Sequence, residues 1–367
     1  MASETASDTA SDAGIELKVL EVIRETDEAC SVVFDARLDF RPGQFLTLAI
    51  PSDRTGVVAR CYSLCSVPGE PLTVTVKRTV DGYASHWVND NLAPGDTVRV
   101  LEPSGIFTPA SLDADLLLFA GGSGVTPIMS IARTALASGT GRIVVLYANR
   151  DERSVIFARQ WSKLAAEHPD RLQVVHWLES VQGLPTQDQL RAFAADYREW
   201  DAFVCGPAPF MKLVNGALRD LDFPRERRHQ EKFVSLGGNP FGEFVATGAE
   251  SAEMDVESSQ VEVESEVAEP EAVRQGAVSV TAELDGTTYS FDDWDPGTTL
   301  LEHLESKGVK APYSCREGEC SACAFRLLEG EVKMLKNDVL DAEDLADDIR
   351  LGCQSLPVTD EVRVSYS

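Results

Sequence analysis

The sequence has few basic residues and no long apolar run. Its 367 residues include 33 Lys and Arg against 60 Asp and Glu, which gives a formal net charge of −27. Because nucleic-acid phosphates select basic surfaces, this balance argues against a nucleic-acid-binding protein. Apolar runs such as residues 116–120 are only a few residues long, whereas roughly 20 residues are needed to cross a bilayer. The sequence therefore predicts a protein that binds neither nucleic acid nor membrane.

The N-terminal stretch lacks the pattern of a secretory signal. Residues 1–14 are acidic and rich in Ser and Thr, whereas a signal peptide is basic and then apolar. We expect this stretch to be a disordered tail. With eight cysteines and no export signal, the expected location is the reducing cytoplasm.

Histidine is also scarce. The five histidines, such as His86 and His229, are scattered along the chain, and we expect them to be structural. No Ser-His-acid triad and no metal-hydrolase motif is visible, so the sequence does not indicate a hydrolase.

Four of the eight cysteines follow a recognisable spacing. Cys315, Cys320 and Cys323 form the pattern C-x4-C-x2-C, and Cys353 follows at a distance. Plant-type [2Fe–2S] clusters take their ligands at this spacing. Zinc ligands usually come as two short pairs, and disulfides need an oxidising compartment. We therefore predict a cluster at these four residues, with zinc, disulfides or free buried thiols as the alternatives.

The residues between the cysteines suit a loop that wraps around a cluster. Gly318 would let the backbone approach without a Cβ clash, and Arg316 and Ser321 would add hydrogen-bond donors. Similar ferredoxins commonly have glycine at the position of Ser321, a difference that leaves the four ligands unaffected.

Residues 15–110 are predicted to form a small antiparallel barrel. Short apolar-rich runs separated by turn pairs such as Pro42-Gly43 and Pro94-Gly95 are typical of this fold. The runs cover residues 19–23, 31–34, 44–50, 60–65, 72–77 and 97–101.

Within the barrel, Arg60, Tyr62 and Ser63 form a polar motif. An arginine can pair with a phosphate, a tyrosine ring can pack on a flat heteroaromatic, and a serine can hydrogen-bond a ring edge. An exposed Arg beside a half-buried aromatic is the alternative for this motif alone. The stretches 76–78 and 82–85 follow it in order.

Residues 111–242 are predicted to form an α/β domain with a parallel sheet. A strand at 115–120 runs into a glycine turn at 121–127 and then a helix, a geometry that aims backbone N–H groups at a phosphate. The turn lacks the G-x-G-x-x-G pattern, and a turn without any ligand remains an alternative. Further strands at 143–147, 173–178 and 202–205 alternate with helices.

The remaining residues are predicted to form an acidic linker and an α+β domain. Residues 243–275 contain ten acids and one base and are interpreted as a tether or an inert spacer. In 276–367, strands at 278–283 and 287–291 precede a helix with Thr299 and Glu302 as its capping box and Gly308 at its end. This order, followed by the cysteine loop, is that of a β-grasp ferredoxin. Its acidity would suit a basic partner or simple solubility.

The motifs in residues 60–85 resemble the flavin-binding domain of the ferredoxin–NADP reductase superfamily. The resemblance favours FAD over FMN, because the 82–85 element has the form Gly-x-x-Ser. It implies backbone contacts with the ring by Val76 and Lys77, and a pyrophosphate contact by Ser85. The implied flavin-binding residues are Arg60, Cys61, Tyr62, Ser63, Val76, Lys77, Gly82, Tyr83 and Ser85.

The glycine turn together with a later Cys-Gly-Pro resembles the nicotinamide domain of the same superfamily. The resemblance places Cys205 beside the nicotinamide and Glu231 and Phe233 beside the flavin. Ser63, Cys205 and Glu231 are therefore the catalytic candidates. The implied nucleotide-binding residues are Gly122, Ser123, Gly124, Thr126, Pro127, Cys205, Gly206 and Pro207.

Charge alone does not decide between NADH and NADPH. The stretch 149–154 after the second strand contains two acids, which would repel a 2′-phosphate, and two arginines, which would bind it. Similarity favours NADH.

The order flavin, nicotinamide, cluster resembles the reductases of Rieske-type oxygenases, most of all the reductase components of actinobacterial 3-ketosteroid 9α-hydroxylases. Such a chain steps two-electron hydride chemistry down to single electrons. The resemblance implies a monomer in which NADH reduces FAD, FAD reduces the cluster, and the cluster supplies a separate Rieske-type oxygenase. The alternatives are the reductase of a phenylacetyl-CoA epoxidase or another aromatic-ring oxygenase and, from a different class, a redox-sensing or docking module.

Overall fold

The computed structural model describes residues 14–52, 56–80, 82–233, 240–241, 276–284, 286–318, 320–340 and 342–366. Residues 1–13 of the predicted tail and the predicted linker at 243–275 lie outside the described residues. Among the described residues, no helix has the length and apolar character needed to cross a membrane. Three large sheets make up the described part of the chain.

The first sheet is the predicted antiparallel barrel. Its six strands run in the order β4-β3-β6-β1-β2-β5, and a bridge between Leu64 and Val74 joins its two edges. Each predicted run coincides with one strand, which confirms the prediction. The elements are β1 (Ile15–Thr26), β2 (Ala29–Phe34), β3 (Phe45–Ser52), β4 (Gly56–Ser63), β5 (Thr73–Lys77), α1 (Tyr83–Asn91) and β6 (Thr97–Val100).

The barrel closes because its strands place branched apolar side chains inside. Val32, Leu48, Ile50 and Val74 are fully buried in one cluster, and Val88 of α1 packs against them. Removing these side chains from water is the main favourable term for such a core.

The second sheet is parallel throughout, with the order β11-β10-β7-β8-β9. Helices cover both faces, as expected for buried parallel strands. Its strands are β7 (Leu116–Gly121), β8 (Ile143–Asn149), β9 (Leu172–Leu178), β10 (Asp201–Cys205) and β11 (Arg228–Glu231). Its helices are α2 (Val125–Ser138), α3 (Ala158–Glu167), α4 (Glu179–Gln182), α5 (Gln187–Ala194) and α6 (Ala208–Asp220), with 3-10 turns at Gly122–Gly124, Glu152–Ser154, Ala195–Tyr197 and Arg225–Arg227.

The edge strand β11 was not predicted. Its sequence, Arg-His-Gln-Glu, has no apolar residue and therefore no strand periodicity. It is held by the backbone of β10, with Cys205 opposite Glu231. An edge strand of this kind is specified by its neighbour and not by its own side chains.

The third sheet has the β-grasp order β13-β12-β18-β14-β16, with β12 and β18 parallel. The predicted capping box is present, because Thr299 Oγ1 accepts a hydrogen bond from the Glu302 backbone and the Glu302 side chain accepts one from the Thr299 N–H. The elements are β12 (Val278–Leu284), β13 (Thr287–Trp294), α7 (Leu300–Ser306), β14 (Ala324–Glu329), β15 (Val332–Met334), α8 (Ala342–Ala346), β16 (Ile349–Leu351), β17 (Ser355–Pro357) and β18 (Glu361–Ser365).

The turn before β3 gives a test of how the barrel meets the parallel sheet. Gly43 has φ +96°, and a Cβ built there lies 1.9 Å from the Phe107 carbonyl oxygen. Gly69 has φ +89° with open space around it, so Gly69→Ala measures the backbone strain alone. We expect Gly43→Ala to lower the free energy of unfolding by about 2–4 kcal/mol and Gly69→Ala by about 1 kcal/mol. Equal losses in denaturant unfolding of the two variants would contradict the steric argument.

Candidate functional site

A cleft of about 740 Å³ lies between the barrel and the carboxyl ends of the parallel strands. Both sides of this cleft contain residues that the sequence predicted to bind cofactors. The predicted residues that line it are Arg60, Cys61, Tyr62, Ser63, Lys77, Gly82, Tyr83, Ser85, Ser123, Thr126, Gly206, Pro207 and Phe233. The structure thus brings together side chains that are up to 173 positions apart, from Arg60 to Phe233.

The barrel side of the cleft fits a flavin nucleotide. Strand β4 carries Arg60 and Tyr62 to the cleft wall, and burial raises the pKa of the Tyr62 hydroxyl, so the ring stays neutral and apolar. Helix α1 begins there behind Gly82, which has no side chain to cap it, and no acidic residue occupies its first turn. Backbone N–H groups without a side-chain cap and a positive helix end suit a pyrophosphate.

The opposite side fits a second nucleotide because its backbone segments lie unusually close. A Cβ built on Gly124 lies 2.3 Å from the Cys205 carbonyl oxygen, and one on Gly206 lies 2.9 Å from the Gly121 nitrogen. Only glycine fits at these two positions. The glycine turn and the end of β10 consequently form one continuous wall at the start of α2.

Five predicted cofactor residues lie behind the cleft wall. Val76 and Cys205 are fully buried, and Pro127 is buried in the first turn of α2. Gly122 and Gly124 belong to the 3-10 turn, where the Gly122 carbonyl accepts a hydrogen bond from the Tyr147 hydroxyl at 3.2 Å. The side chains of Val76, Cys205 and Pro127 support the wall, and any contact of the five residues with a cofactor would be made by backbone atoms.

Sequence reasoning missed one face of α6. Ala208, Met211, Lys212, Asn215 and Arg219 all line the cleft. They recur at the spacing of one helical face, a signal that was present in the sequence. The cleft is also lined by Thr75, Thr79, Ala84, Gln230 and Lys232.

Two of the four charged side chains in the stretch after β8 have partners. Arg150 donates to the Glu28 carboxylate at 2.5 Å, across the boundary with the barrel. The Asp151 carboxylate caps the next turn by accepting a hydrogen bond from the Ser154 N–H at 2.9 Å. Hydrogen bonds from Ser154 lower the pKa of Asp151, so this carboxylate is held ionised.

A second, smaller cavity lies at the inner end of the cleft. It is lined by Phe45, Cys61, Ser63, Glu231, Lys232, Phe233, Cys320 and Ser321. Two of the catalytic candidates, Ser63 and Glu231, therefore share a cavity with the cysteine loop. The third, Cys205, lies opposite Glu231 in the sheet. Burial raises the pKa of Glu231 to about 8, so its carboxyl holds a proton at neutral pH.

The four predicted cluster ligands are buried next to one another. Cys315 and Cys320 have their sulfurs 3.2 Å apart, and the Cys323 and Cys353 thiols are hydrogen-bonded to each other. All eight cysteines of the chain are free thiols. The pKa of Cys320 is held well above its usual range, mainly by the hydrogen bond with Cys315 and also by burial. Four thiolates can share this space only with a compensating cation, which fits an iron cluster.

The loop around these thiols differs in detail from the expectation. Arg316 is turned away from the sulfurs, because its guanidinium pairs with Glu305 and stacks over the Tyr313 ring at 4.0 Å. The donors to sulfur instead include the Glu317 N–H to Cys315 at 3.4 Å and the Gln354 side chain to Cys353 at 3.6 Å. Gly318 has φ +73°, and a Cβ there would lie 2.7 Å from the Lys336 carbonyl.

In the described part of the chain, no group of three or more His, Cys, Asp or Glu is arranged around a single metal ion. A dinuclear cluster has two irons, each bound by two of the four thiolates, so its ligands do not converge on one point.

Ion pairs join the ferredoxin-like sheet to the parallel sheet. Arg225 reaches Asp344 at 2.8 Å and Asp347 at 2.9 Å, and all three side chains are partly buried. Nearby, Lys232 donates to the Val339 carbonyl at 3.2 Å. The negative surface of the cluster module is thus partly neutralised by cations from the nucleotide module.

Comparison with known proteins agrees with this assembly. Residues 118–216 match the model of the oxidoreductase NAD-binding domain, and residues 282–358 match the 2Fe-2S iron-sulfur cluster binding domain. The second match contains all four predicted ligand cysteines. The chain therefore combines NAD-linked oxidoreductase chemistry with an iron–sulfur centre, and the alternatives of zinc, disulfides and free thiols are set aside.

The class of protein is a modular reductase with the ferredoxin–NADP reductase fold. Phthalate dioxygenase reductase has this fold, with a TM-score of 0.54 at 23% identity over 96% of this chain and 98% of that one. The flavohem-like FAD/NAD binding domain of nitric oxide dioxygenase from Vibrio cholerae matches 60% of this chain and 98% of its own, at a TM-score of 0.51 and 25% identity. The predicted fold class is confirmed, as are its cofactors: NADH, FAD and a [2Fe–2S] cluster.

A relative from Rhodococcus rhodochrous identifies a particular family within this class. It is the ferredoxin reductase component of 3-ketosteroid-9-alpha-monooxygenase, and it is 49% identical over 358 residues, covering 95% of this chain and 96% of the relative. The chain belongs to the family of these ferredoxin reductase components.

The buried carboxyl of Glu231 predicts a pH dependence of stability. In the unfolded chain this group ionises near pH 4.5, and in the folded protein near pH 8. Its contribution to stability is complete below pH 4.5, falls by about 1.4 kcal/mol per pH unit between the two values, and is lost above pH 8. We expect the Tm of the wild-type holoprotein to fall relative to that of Glu231→Gln as the pH rises from 5 to 8, by about 2–4 °C per kcal/mol.

The matched control is Glu21→Gln, which changes an exposed glutamate on β1. Its Tm is expected to stay parallel to that of the wild type over this pH range. A constant Tm difference between wild type and Glu231→Gln from pH 5 to 8 would show that Glu231 ionises normally in the folded protein.

Proposed function

We propose that this chain is the NADH-dependent reductase of a Rieske-type oxygenase that acts on a 3-ketosteroid. Electrons would pass from NADH through FAD and the [2Fe–2S] cluster to the oxygenase. The observation that carries the proposal is the small cavity that Ser63 and Glu231 share with Cys320, because it joins the flavin side of the cleft to the cluster loop without an intervening element.

The division of labour among the residues follows from their positions. Arg60, Tyr62 and Ser85 would hold the flavin nucleotide, while Ser123, Thr126 and Gly206 would hold the nicotinamide nucleotide. The flavin, when bound, exchanges two electrons with a nicotinamide and single electrons with an iron–sulfur centre. The full set of residues predicted from the sequence is proposed as the site, with the cleft-lining face of α6 added to it.

Glu231 and Cys205 would shape the electrostatics of the reacting end. Burial keeps the Glu231 carboxyl protonated and raises the pKa of the Cys205 thiol well above its usual value. A neutral thiol and a neutral carboxyl add no negative charge beside a site that receives hydride. Ser63, in the same cavity as Glu231, would hydrogen-bond the flavin ring edge.

The preference for NADH is supported by the salt bridge of Arg150. This arginine is the first cation after β8, where a 2′-phosphate would bind, and its guanidinium is paired with Glu28. Asp151 beside it is held as an anion. A 2′-phosphate would therefore meet the negative Asp151 carboxylate and an Arg150 that is already paired, which leaves the exposed Arg153 as the one arginine of this stretch without an ion pair to a described residue.

The steroid substrate and the oxygenase partner are proposed from the family, because the 49% identity extends over nearly the whole length of both chains. We propose that the protein acts as a monomer in the cytoplasm, where NADH is available and cysteines outside the cluster stay reduced. The proposed domains are 15–110 for FAD, 111–242 for NADH and 276–367 for the cluster, joined by the 243–275 linker.

Anaerobic titration tests the internal chain. We expect NADH to bleach the flavin and the cluster absorbance together, and NADPH to act at least tenfold more weakly. In Cys353→Ser, which removes one proposed cluster ligand, NADH should still bleach the flavin, while cytochrome c reduction should fall by more than tenfold. Cys30→Ala, which changes a buried barrel cysteine away from the cleft, serves as the control. A flavin that bleaches in the wild type while the cluster stays oxidised would contradict the proposal.

A second experiment tests the partner. The reduced protein should support product formation by a 3-ketosteroid 9α-oxygenase, and should do so more slowly with a phenylacetyl-CoA epoxidase or a ring-hydroxylating oxygenase. Equal rates with all three oxygenases would leave the electron-transfer function intact and overturn the assignment of the steroid system.

A further inference from the structure

Three polar side chains meet at the boundary between the barrel and the cluster loop. The hydroxyls of Thr47 and Ser314 are 2.7 Å apart, and the Cys61 thiol lies 3.4 Å from Thr47 and 3.5 Å from Ser314. Thr47 and Ser314 are each 1% exposed. We call these three residues the hydroxyl seat.

The hydroxyl seat is built from two rigid strands and one irregular loop. Thr47 of β3 and Cys61 of β4 are direct partners across the ladder, so their side chains share one face of the sheet. Ser314 immediately precedes the ligand Cys315 and lies in no regular element. The loop therefore depends on contacts made by its side chains for its position.

The surroundings of the hydroxyl seat make its hydrogen bonds specific. Phe45, Ala59 and Leu101 of the barrel pack with Cys315 and Ala322 in one apolar cluster around it. Two apolar surfaces can shift against each other at little cost, whereas a buried hydroxyl without a hydrogen-bond partner carries a desolvation cost. Displacement of the loop within this apolar boundary would remove both contacts of the Ser314 hydroxyl and leave Thr47 with only the Cys61 thiol, so these hydrogen bonds define one docked position.

The hydroxyl seat also lies next to the proposed flavin contacts. Cys61 is adjacent in sequence to Arg60 and Tyr62, which line the cleft, and Cys61 itself reaches both cavities. Ser314 is one bond from the backbone of a proposed iron ligand. A route from Arg60 and Tyr62 through Cys61 and Ser314 to Cys315 crosses one non-covalent contact, between the Cys61 thiol and the Ser314 hydroxyl.

We propose that Thr47 and Ser314 are positioning residues that set the docked geometry for electron transfer from flavin to cluster, with Cys61 completing the contact. The inference rests on the proposed function. Because electron tunnelling falls steeply with distance, a loop that is free to shift transfers electrons more slowly even when both cofactors are fully bound.

The test compares Thr47→Val, which keeps the shape and removes the hydroxyl, with Ser314→Ala and the double variant, all as holoproteins. Loss of one neutral hydrogen bond should raise the ratio of undocked to docked loop about fivefold. Amide hydrogen exchange at residues 313–316 should accelerate by the same factor. In stopped-flow mixing with NADH, cluster reduction should slow measurably, by at most the same factor of about five, while flavin reduction stays unchanged.

Two controls separate positioning from general damage. Thr281→Val with Ser290→Ala removes an exposed hydroxyl pair at 3.3 Å within the third sheet and should leave both rates unchanged. Thr47→Ser restores a hydroxyl and should recover most of the wild-type rate. Because the two residues share one hydrogen bond, the double variant should resemble the single variants.

Each outcome decides a separate claim. Unchanged rates of cluster reduction in Thr47→Val and Ser314→Ala would contradict the proposal that the hydroxyl seat positions the loop. Additive losses of rate in the double variant would contradict it as well. An altered reduction potential or EPR spectrum of the cluster in Thr47→Val would show an effect on the cluster itself and would also overturn it. If the wild type shows no NADH-dependent cluster reduction, the proposed function fails, and the exchange measurement alone then decides whether the seat docks the loop.

Discussion

Four buried thiols in mutual contact are the constraint on which the cluster module depends. Thiolates this close repel one another in a medium that solvates charge poorly, so they need a compensating cation. The loop that carries three of them has a strained backbone, with Arg316 at φ +60° and Gly318 at φ +73°. The surrounding modules hold this loop in place, which links the architecture of the whole chain to the cluster.

The cleft has a comparable dependence on two modules. The barrel contributes Arg60 and Tyr62, whereas the parallel sheet contributes the glycine turn and one face of α6. Neither sheet has both walls by itself. At Gly124 and Gly206, neighbouring backbone segments of the nucleotide wall lie in close contact. The cluster loop lies next to the cleft because the third sheet packs against the first.

Charge is distributed so that the modules attract one another despite the strongly negative chain. Arg225 and Lys232 of the nucleotide module face Asp344, Asp347 and a carbonyl of the cluster module. Partly buried pairs of this kind are screened less by salt than exposed ones. The apolar cluster around Cys315 and Ala322 supplies the non-directional part of the same contact.

The sequence by itself determined the elements that have a local signal and predicted the candidate cluster ligands. Local spacing along the chain was enough to predict the six barrel runs, the alternating strands and helices, the capping box at Thr299 and the four cysteines of the cluster motif. Only the tertiary structure decided what depends on contacts between distant residues. It placed the polar strand β11 beside β10, turned Arg316 towards Glu305, inserted β18 between β12 and β14, and set Ser314 against Thr47. These outcomes follow from backbone pairing and from burial against neighbours far along the chain, for which local side-chain periodicity carries no signal.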